Sequence, residues 1–191
     1  MTMRAIPTAI ADVLVFEPSV FNDARGSFFE SFNLREFTAV MQQVSRQTLE
    51  TPWQFVQDNH SQSVGNVVRG LHYQIHQSQG KLVRVIAGEV FDVAVDLRTS
   101  SPSFGQWVGN IVSSENRRQV WIPPGFAHGF LTCSEQAQML YKTTDYFAAE
   151  HQRCIAWDDP EIGIKWPLKG APLLSERDQS GTPFAQAEVF S

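Results

Sequence analysis

The sequence predicts an all-β domain with a closed or double-sheet architecture and a few short peripheral helices. Short runs of strand-forming residues dominate the chain, and turn signals interrupt them at Asn22-Asp23, Thr99 to Ser103, Ser113 to Asn116 and Pro123 to Gly125. One strong helical pattern is present, over residues 33–43. Many short strands with frequent turns are typical of a jelly roll, in which two antiparallel sheets enclose one core.

Length and composition fit a single domain that spans residues 1–191. The chain contains 14 Phe and 5 Trp residues, which are enough bulky apolar side chains to fill a sheet-based interior. A net charge of −5 without a basic run excludes nucleic-acid binding as the main function. The chain has no N-terminal signal pattern and no apolar run that could cross a bilayer, so we expect a cytoplasmic protein without a membrane partner.

The N-terminal part of the chain predicts one strand and one helix. Residues 13–16, Val-Leu-Val-Phe, are apolar at consecutive positions, as expected of a strand that is buried on both faces. Leu34, Phe37, Val40 and Met41 then recur at the spacing of one helix face. We therefore expect an amphipathic helix after the first strands.

Residues 69–74, Arg-Gly-Leu-His-Tyr-Gln, are the first segment with evident chemistry. Side chains alternate along a strand, so Arg69 and Leu71 are expected on one face, and His72 and Gln74 on the other. An imidazole has an unperturbed pKa of about 6.5, which suits it to accept a proton if this face lines a cavity. Taken alone, a single histidine fits equally well as a strand residue capped by a polar neighbour.

Two β-branched runs follow, over residues 81–87 and 90–98, and they meet at Gly88. This pattern predicts an antiparallel hairpin. In the second run Asp92 and Asp96 fall on one face and valines on the other, which indicates a strand with two different surroundings.

A second histidine, His128, follows a turn rich in proline and glycine within residues 122–130, and this invites a metal hypothesis. His72 and His76 would lie about 13 Å apart on one strand, whereas metal bonds are about 2 Å long. His128 alone forms no site, so we predict no metal. Cys133 and Cys154 lack metal-ligand spacing and are interpreted as reduced thiols.

The C-terminal third predicts one more long strand and then short elements. Residues 139–146 are strand-like and rich in phenols. After Ile155, turn-forming residues recur too often for long elements, so we expect short helical turns there.

A series of motifs follows one order over most of the chain, and it consists of Phe21-x-Asp23-x-Arg25-Gly26-x-Phe28-x-Glu30-Ser31-Phe32, Gln57-x-Asn59, Arg69-Gly70-Leu71-His72-Tyr73-Gln74, Gly80-Lys81-Leu82-Val83, Asp92-Val93-Ala94-Val95-Asp96-Leu97-Arg98, Ser101-Pro102, Phe104-Gly105, Ile122-Pro123-x-Gly125-Phe126-Ala127-His128-Gly129-Phe130, Tyr141-Lys142 and Leu174-Ser175-x-x-Asp178. This series resembles the dTDP-4-dehydrorhamnose 3,5-epimerases. The resemblance implies a cupin-type double-stranded jelly roll that needs no metal or other cofactor. It implies conversion of dTDP-4-dehydro-6-deoxy-D-glucose to dTDP-4-dehydro-L-rhamnose, a precursor of cell-surface rhamnose.

The resemblance also implies catalytic roles. His72 corresponds to the base, and Asp178 to the carboxylate that orients it and stabilises its protonated form. Tyr141 corresponds to the acid that delivers a proton from the opposite face. Lys81 corresponds to the lysine that contacts the substrate, where an ammonium beside the keto oxygen would stabilise an enolate.

The resemblance assigns a larger set to substrate binding, and guanidinium groups in that set suit a diphosphate. The set is Arg25, Glu30, Gln57, Asp58, Asn59, Arg69, His128, Phe147, Gln152 and Arg177. Three of these depart from the family pattern. Phe147 stands where a tyrosine often stacks on thymine, Gln152 where a glutamate is common, and Arg177 where a lysine precedes the aspartate.

The resemblance further implies a homodimer in which N-terminal strands cross to the neighbouring sheet. The Arg25 or Glu30 region of the partner subunit would then help to close the nucleotide site. An exposed sheet edge in a soluble protein is usually paired or covered, which agrees with such an exchange.

Three functions remain open. The first is the double epimerase. The second is a single-site epimerase or a 3,4-ketoisomerase of a related dTDP-deoxysugar, and the third is a non-catalytic cupin that binds sugar nucleotides. Without the resemblance, Asp178 fits an exposed turn residue, Lys81 a solvated charge at a strand start, and Tyr141 a rim aromatic.

Overall fold

Short antiparallel strands make up most of the regular structure. The structure, a computed structural model, describes residues 3–44 and 53–191. The strands are β1 (Arg4–Pro7), β2 (Leu14–Glu17), β3 (Val20–Asp23), β4 (Gly26–Phe29), β5 (Gln57–Val64), β6 (Val68–Gln74), β7 (Lys81–Ala87), β8 (Glu89–Asp96), β9 (Trp107–Ser113), β10 (Gln119–Ile122), β11 (Phe126–Thr132), β12 (Gln136–Thr143) and β13 (Gln152–Cys154). The helices are α1 (Leu34–Val44) and α2 (Glu176–Gln179), with 3₁₀ turns at Ala149–His151 and Phe184–Gln186. Within the described residues, no helix combines the length and apolar character that a membrane span requires.

The strands form two large antiparallel sheets. Their strand orders are β1-β2-β10-β7-β12-β5 and β13-β6-β11-β8-β9. The facing sides share one core, to which β7 and β12 contribute Val83, Val85 and Met139, and β8 and β11 contribute Val90 and Phe130. This architecture confirms the predicted all-β jelly roll with a few short helices.

Helix α1 covers the outer face of the six-stranded sheet. The side-chain oxygen of Asn33 accepts hydrogen bonds from the backbone N–H groups of Arg35 and Glu36 at 3.0 and 3.3 Å, which caps the helix. Phe37 and Met41 are buried in a cluster with side chains of the sheet. The predicted helix is confirmed within one residue at each end.

The C-terminal segment covers the outer face of the other sheet. Ile155 and Ile162 are buried there, and Trp166, Phe184 and Phe190 pack against them. The short helical turns expected in this segment are present as α2 and the last 3₁₀ turn.

The strand predicted at residues 13–16 is confirmed, including its burial on both faces. Val13 and Val15 lie in the core between the sheets, whereas Leu14 and Phe16 lie in the cluster beneath α1. β1 pairs with β2, and β2 pairs with β10 of the same chain. These pairings describe one chain, so the exchange of N-terminal strands between subunits stays a prediction.

The hairpin predicted for residues 81–87 and 90–98 is wrong. β7 pairs with β10 and β12, whereas β8 pairs with β11 and β9 in the other sheet. Gly88 has a φ of +75°, a conformation that glycine adopts readily, and the chain crosses between the sheets at this residue. A glycine turn between two strand patterns does not reveal whether the second strand pairs with the first.

The face predicted for Arg69 is also wrong. Strict alternation places Arg69 and His72 on opposite faces, yet both line the same cavity. The ladder between β6 and β11 shifts register between His128 and Phe130, and such an irregularity redirects side chains locally. His72 and Gln74 do share a face, as predicted.

Candidate active site

A cavity of about 180 Å³ opens between the two sheets. The five-stranded sheet contributes His72 from β6 and His128 from β11, and the six-stranded sheet contributes Lys81 from β7 and Tyr141 from β12. Three of the four predicted catalytic residues therefore meet in one cavity. The fourth, Asp178, lies directly behind His72.

The carboxylate of Asp178 is held in place on both oxygens. Oδ1 lies 2.6 Å from Nε2 of His72 and accepts a hydrogen bond from the backbone N–H of Gly70 at 3.2 Å. Oδ2 accepts from Oγ of Ser175 at 2.7 Å, and the same hydroxyl caps α2 by accepting from the N–H of Asp178. Burial raises the pKa of Asp178, but the hydrogen bonds from His72, Ser175 and Gly70 outweigh it and hold this pKa below its usual value. The group therefore stays a carboxylate beside the imidazole.

Lys81 is a buried lysine on the wall of the cavity. Its Nζ donates to the backbone carbonyl of His72 at 3.4 Å. Burial lowers the pKa of Lys81 to about 8, and the carboxylate of Asp92 acts in the opposite direction. Near neutral pH the side chain is thus an ammonium that can also release a proton.

A second histidine–aspartate pair lies beside the first. Nε2 of His128 is 2.7 Å from Oδ2 of Asp92, and both residues are buried. Oδ1 of Asp92 has no hydrogen-bond partner within residues 3–44 and 53–191. A buried carboxylate oxygen without a partner is costly, so its charge acts on its neighbours, among them Lys81.

Tyr141 lies on the wall opposite the first pair, because β12 and β6 belong to facing sheets. Burial raises the pKa of its phenol, while the guanidinium of Arg69 lowers it. The phenol therefore keeps its proton at neutral pH and is available as a donor.

Three of the predicted substrate contacts form the mouth of the cavity. Arg69, Phe147 and Gln152 line it together with His128, and the ring of Phe147 is 53% exposed. Arg177 lies outside the cavity and donates a hydrogen bond to Oε1 of Gln152. The mouth thus combines cations with an exposed aromatic face, as a sugar nucleotide would require.

Gln57 and Asn59 share the cavity-side face of β5, and their side chains are joined by a 2.9 Å hydrogen bond. Gln57 also accepts from the backbone N–H of Phe147 at 3.0 Å, so it positions the mouth without lining the cavity. Asp58 lies on the other face of β5, where its side chain binds Nζ of Lys142 at 3.0 Å, because alternate residues of a strand face opposite ways. Its role in substrate binding stays a prediction.

Arg25 and Glu30 are not near this cavity in the single chain. Arg25 lies in the turn between β3 and β4, where it is exposed and its Nη2 is 2.6 Å from Oδ2 of Asp23. Glu30 directly follows β4. The hairpin β3–β4 is separate from both large sheets.

Several contributors to the site were missed by sequence reasoning. Ser61, Phe130 and Met139 line the cavity, Ser175 fixes Asp178, and Asp92 holds His128. For Asp92 a signal was present, since the alternation of β8 placed it on the polar face. For Ser175 a signal was also present, since a serine three residues before an acidic residue is typical of a helix cap. For Ser61 the sequence held no comparable signal.

Cys133 and Cys154 are free thiols, as predicted. Cys154 lies opposite His72 in the pairing of β13 with β6, and its Sγ is 3.9 Å from Oδ1 of Asp178. Burial and the charge of Asp178 raise the pKa of this thiol to about 11. The group is therefore a protonated thiol and a poor nucleophile at neutral pH.

Inversion of a carbon requires a base on one face, a proton donor on the other, and a group that stabilises the charge formed between them. The His72–Asp178 pair, Tyr141 on the facing sheet and Lys81 in the same cavity have the chemistry that these three functions require. Fold and site together define an epimerase of the cupin type, which is a class of isomerase.

Comparison with known proteins identifies the family. A protein-family model described as dTDP-4-dehydrorhamnose 3,5-epimerase matches residues 7–186. The chain is 60% identical over 188 residues to a dTDP-4-dehydrorhamnose 3,5-epimerase of Pseudomonas aeruginosa, and this match covers 98% of the chain and 99% of its relative. The chain belongs to the dTDP-4-dehydrorhamnose 3,5-epimerase family.

A solved structure and a more distant relative extend this comparison. The structure is a dTDP-6-deoxy-D-glucose-3,5-epimerase of Legionella pneumophila in complex with dTDP-4-keto-L-rhamnose. It matches with a TM-score of 0.91 and 46% identity, covering 97% of this chain and 95% of that one. A dTDP-4-dehydrorhamnose 3-epimerase of Streptomyces niveus is 35% identical over 97% of this chain and 86% of its own length.

Proposed function

We propose that this protein inverts C3 and C5 of dTDP-4-dehydro-6-deoxy-D-glucose and so produces dTDP-4-dehydro-L-rhamnose. The observation that carries the proposal is the placement of a base and a proton donor on facing sheets, with His72 on β6 and Tyr141 on β12. The 4-keto group of this substrate acidifies the protons on both neighbouring carbons. One base and one donor can therefore serve the two centres in turn.

The first step removes a proton from carbon. Nε2 of His72 donates its proton in the hydrogen bond to the carboxylate of Asp178, so Nδ1 is the ring nitrogen that accepts the proton from carbon. The carboxylate then stabilises the imidazolium. The negative charge that leaves the carbon moves onto the keto oxygen. The ammonium of Lys81, buried in the same cavity, stabilises this enolate, because a charge–charge interaction is strong where water is excluded.

The second step returns a proton to the opposite face. The phenol of Tyr141 is protonated because burial raises its pKa. As the enolate carbon takes this proton, the phenolate that remains lies close to the guanidinium of Arg69, which favours the charged form. Each inversion thus moves one proton to His72 and one from Tyr141, and both groups must exchange protons with solvent before the next turnover.

Nucleotide binding is assigned to the mouth of the cavity. Arg69 and Arg177 supply guanidinium groups for the diphosphate, and the exposed ring of Phe147 supplies a face for thymine. Gln152 lies between these groups through its hydrogen bond with Arg177. The contact roles of Gln57, Asn59 and His128 remain predictions of the same kind.

A homodimer completes the proposal. The hairpin β3–β4 exposes Phe21 and Phe28, which are 52% and 62% exposed and face each other across the hairpin. A two-stranded hairpin with exposed aromatic rings is marginal alone and is typical of a covered surface. We assign to this hairpin the role of carrying the partner's Arg25 and the partner's Glu30 to the mouth of the cavity.

The dimer is tested by sedimentation. The expected mass is about twice the 21.5 kDa of the chain. A Phe21→Ser, Phe28→Ser double variant should weaken both association and activity, whereas Ile111→Ser, which alters an apolar residue exposed on β9, should affect neither. A monomer with full activity would refute the link between assembly and catalysis.

The activity is tested by incubation with the 4-keto substrate in D2O, followed by NMR of the product. Deuterium at both carbons with inversion at both is the expected result. Deuterium at one carbon alone would indicate a single-site epimerase, and movement of the keto group would indicate a ketoisomerase. Binding of the dTDP-sugar without any deuterium uptake would indicate a binding protein without catalytic activity.

One epimerase domain is expected to extend over residues 1–191. Partial proteolysis of the folded protein should therefore release no smaller stable unit.

The expected location is the cytoplasm, because a doubly charged sugar nucleotide does not cross a bilayer and must share a compartment with its enzyme. Cell fractionation tests this location.

A further inference from the structure

Cys154 lies beside the catalytic pair but has no part in the proton transfers. It is the Cα partner of His72 across the β13–β6 ladder, and its Sγ is 3.9 Å from Oδ1 of Asp178. A ring nitrogen of His72, a carboxylate oxygen of Asp178 and Sγ of Cys154 all lie within 4.8 Å of one another. Within residues 3–44 and 53–191, this is the one group of three such side chains close enough to share an ion.

The spacing of these three atoms is close to that of a tetrahedral zinc site. Zinc bonds of about 2.3 Å to sulfur and about 2.0 Å to nitrogen and oxygen place the donor atoms about 3.3 to 3.6 Å apart. The present separations are 2.6 Å between His72 and Asp178, and 3.9 Å between Cys154 and Asp178. Movements of less than about 1 Å, within the reach of side-chain rotation, convert one arrangement into the other.

The donor set also selects the kind of metal. One thiolate, one imidazole and one carboxylate suit Zn²⁺, whereas Mg²⁺ prefers oxygen ligands alone. A second cleft, of about 610 Å³, is lined by both His72 and Asp178 and gives an ion a route to these two residues. The same cleft leaves room for water as a fourth ligand.

We propose that His72, Asp178 and Cys154 form an inhibitory Zn²⁺ site built into the catalytic pair. The ion binds Nε2 in place of the hydrogen bond between His72 and Asp178, and the ring proton moves from Nε2 to Nδ1. The lone pair of Nδ1 that otherwise accepts the substrate proton is then no longer available. The thiol proton of Cys154 is released to solvent as the Zn–S bond forms. The inhibition rests on the proposed function of His72 as the base, whereas the binding itself does not.

Binding is tested without any assay of activity. Co²⁺ added to the protein should give visible bands of a tetrahedral ion and a thiolate-to-cobalt charge-transfer band. Cys154→Ala should lose the charge-transfer band, and Cys154→Ser, a closer replacement that guards against misfolding, should lose it as well. Cys133→Ala, which removes the other thiol, should keep it. An unchanged spectrum in both Cys154 variants would overturn the proposal even if the protein proves to be an active epimerase.

Inhibition is tested on the same proteins. Zn²⁺ should inhibit epimerisation reversibly, with activity restored by EDTA, while Mg²⁺ has no effect. Loss of one of three ligands in Cys154→Ala should raise the inhibitory Zn²⁺ concentration at least about tenfold and leave the uninhibited rate unchanged. Equal inhibition of wild type and Cys154→Ala would contradict the site. If the protein had no epimerase activity at all, the cobalt spectra would still decide whether the metal site exists.

Discussion

Two histidine–aspartate pairs lie side by side in this molecule, and they differ in what surrounds the carboxylate. His72 and His128 are Cα partners on β6 and β11, and each places Nε2 within 2.7 Å of a carboxylate oxygen. Asp178 receives hydrogen bonds on both oxygens, whereas Oδ1 of Asp92 has no partner in the part of the chain that the structure describes.

This difference fits two different roles in the proposed mechanism. Hydrogen bonds on both oxygens hold the pKa of Asp178 low, so its negative charge is available to the imidazolium proposed to form at His72. The charge of Asp92 acts on its surroundings, and it opposes the loss of charge on Lys81. In the proposed mechanism, one pair moves a proton, and the other sustains the cation that stabilises the enolate.

The largest expected effect separates the two histidines directly. His72→Asn should retain the fold and the binding of dTDP but lower deuterium exchange at both carbons by about 10³-fold, since the base is lost. His128→Asn is the matched control, and it should lose only about tenfold, as expected for one hydrogen bond to the substrate. Similar losses of deuterium exchange in the two variants would contradict the different roles proposed for the two histidine–aspartate pairs.

The partner of the base gives the next largest effect. In Asp178→Asn the amide can keep a hydrogen bond to His72 but cannot balance the charge of an imidazolium, so kcat should fall by about 10²-fold or more. Steady-state kinetics measures this fall, and the binding of dTDP, which should not change, is the control. An unchanged kcat would show that the carboxylate does not serve the base.

Tyr141→Phe tests whether exchange and inversion can be separated. Deuterium should still enter through His72, but net inversion should fall by about 10²-fold because the far-face donor is missing. NMR of one sample reports both quantities. Equal loss of exchange and inversion would make Tyr141 a residue that positions the substrate and would leave His72 as the one supported proton carrier.

The smallest effect is a shift in pH dependence. Activity that needs the Lys81 ammonium should decline as pH rises through about 8, the pKa of this side chain. Asp92 raises this pKa, so Asp92→Asn should move the alkaline decline of kcat/KM to lower pH while the rate at pH 6 falls by about tenfold or less. An alkaline limb that stays in place would mean that Asp92 acts on His128 alone.

The fold was predictable wherever one strand or helix carried its own signal. The two-sided burial of residues 13–16 and the face of α1 follow from periodicity. The crossover at Gly88 was not predictable, because a glycine turn carries no information about which sheet receives the next strand. The face of Arg69 was missed because the register shift between β6 and β11 is a property of two strands and not of one.

The site was predictable to a different degree. The family motifs identified His72, Lys81 and Tyr141, and the structure brings all three into one cavity. Alternation along β5 already places Asp58 on the face opposite to Gln57 and Asn59. The contact of Asp92 with His128 joins residues 36 positions apart and follows only from the pairing of β8 with β11.

The location of the base and the acid on different sheets has an evolutionary consequence. Two packed sheets stand about 10 Å apart, and the side chains between them set that spacing. The separation of His72 from Tyr141 is therefore governed by core residues such as Val85 and Ala94, which do not line the cavity. A change in core volume moves the two walls relative to each other. The choice of which carbon is inverted can thus evolve through the interior of the protein while every catalytic group stays the same.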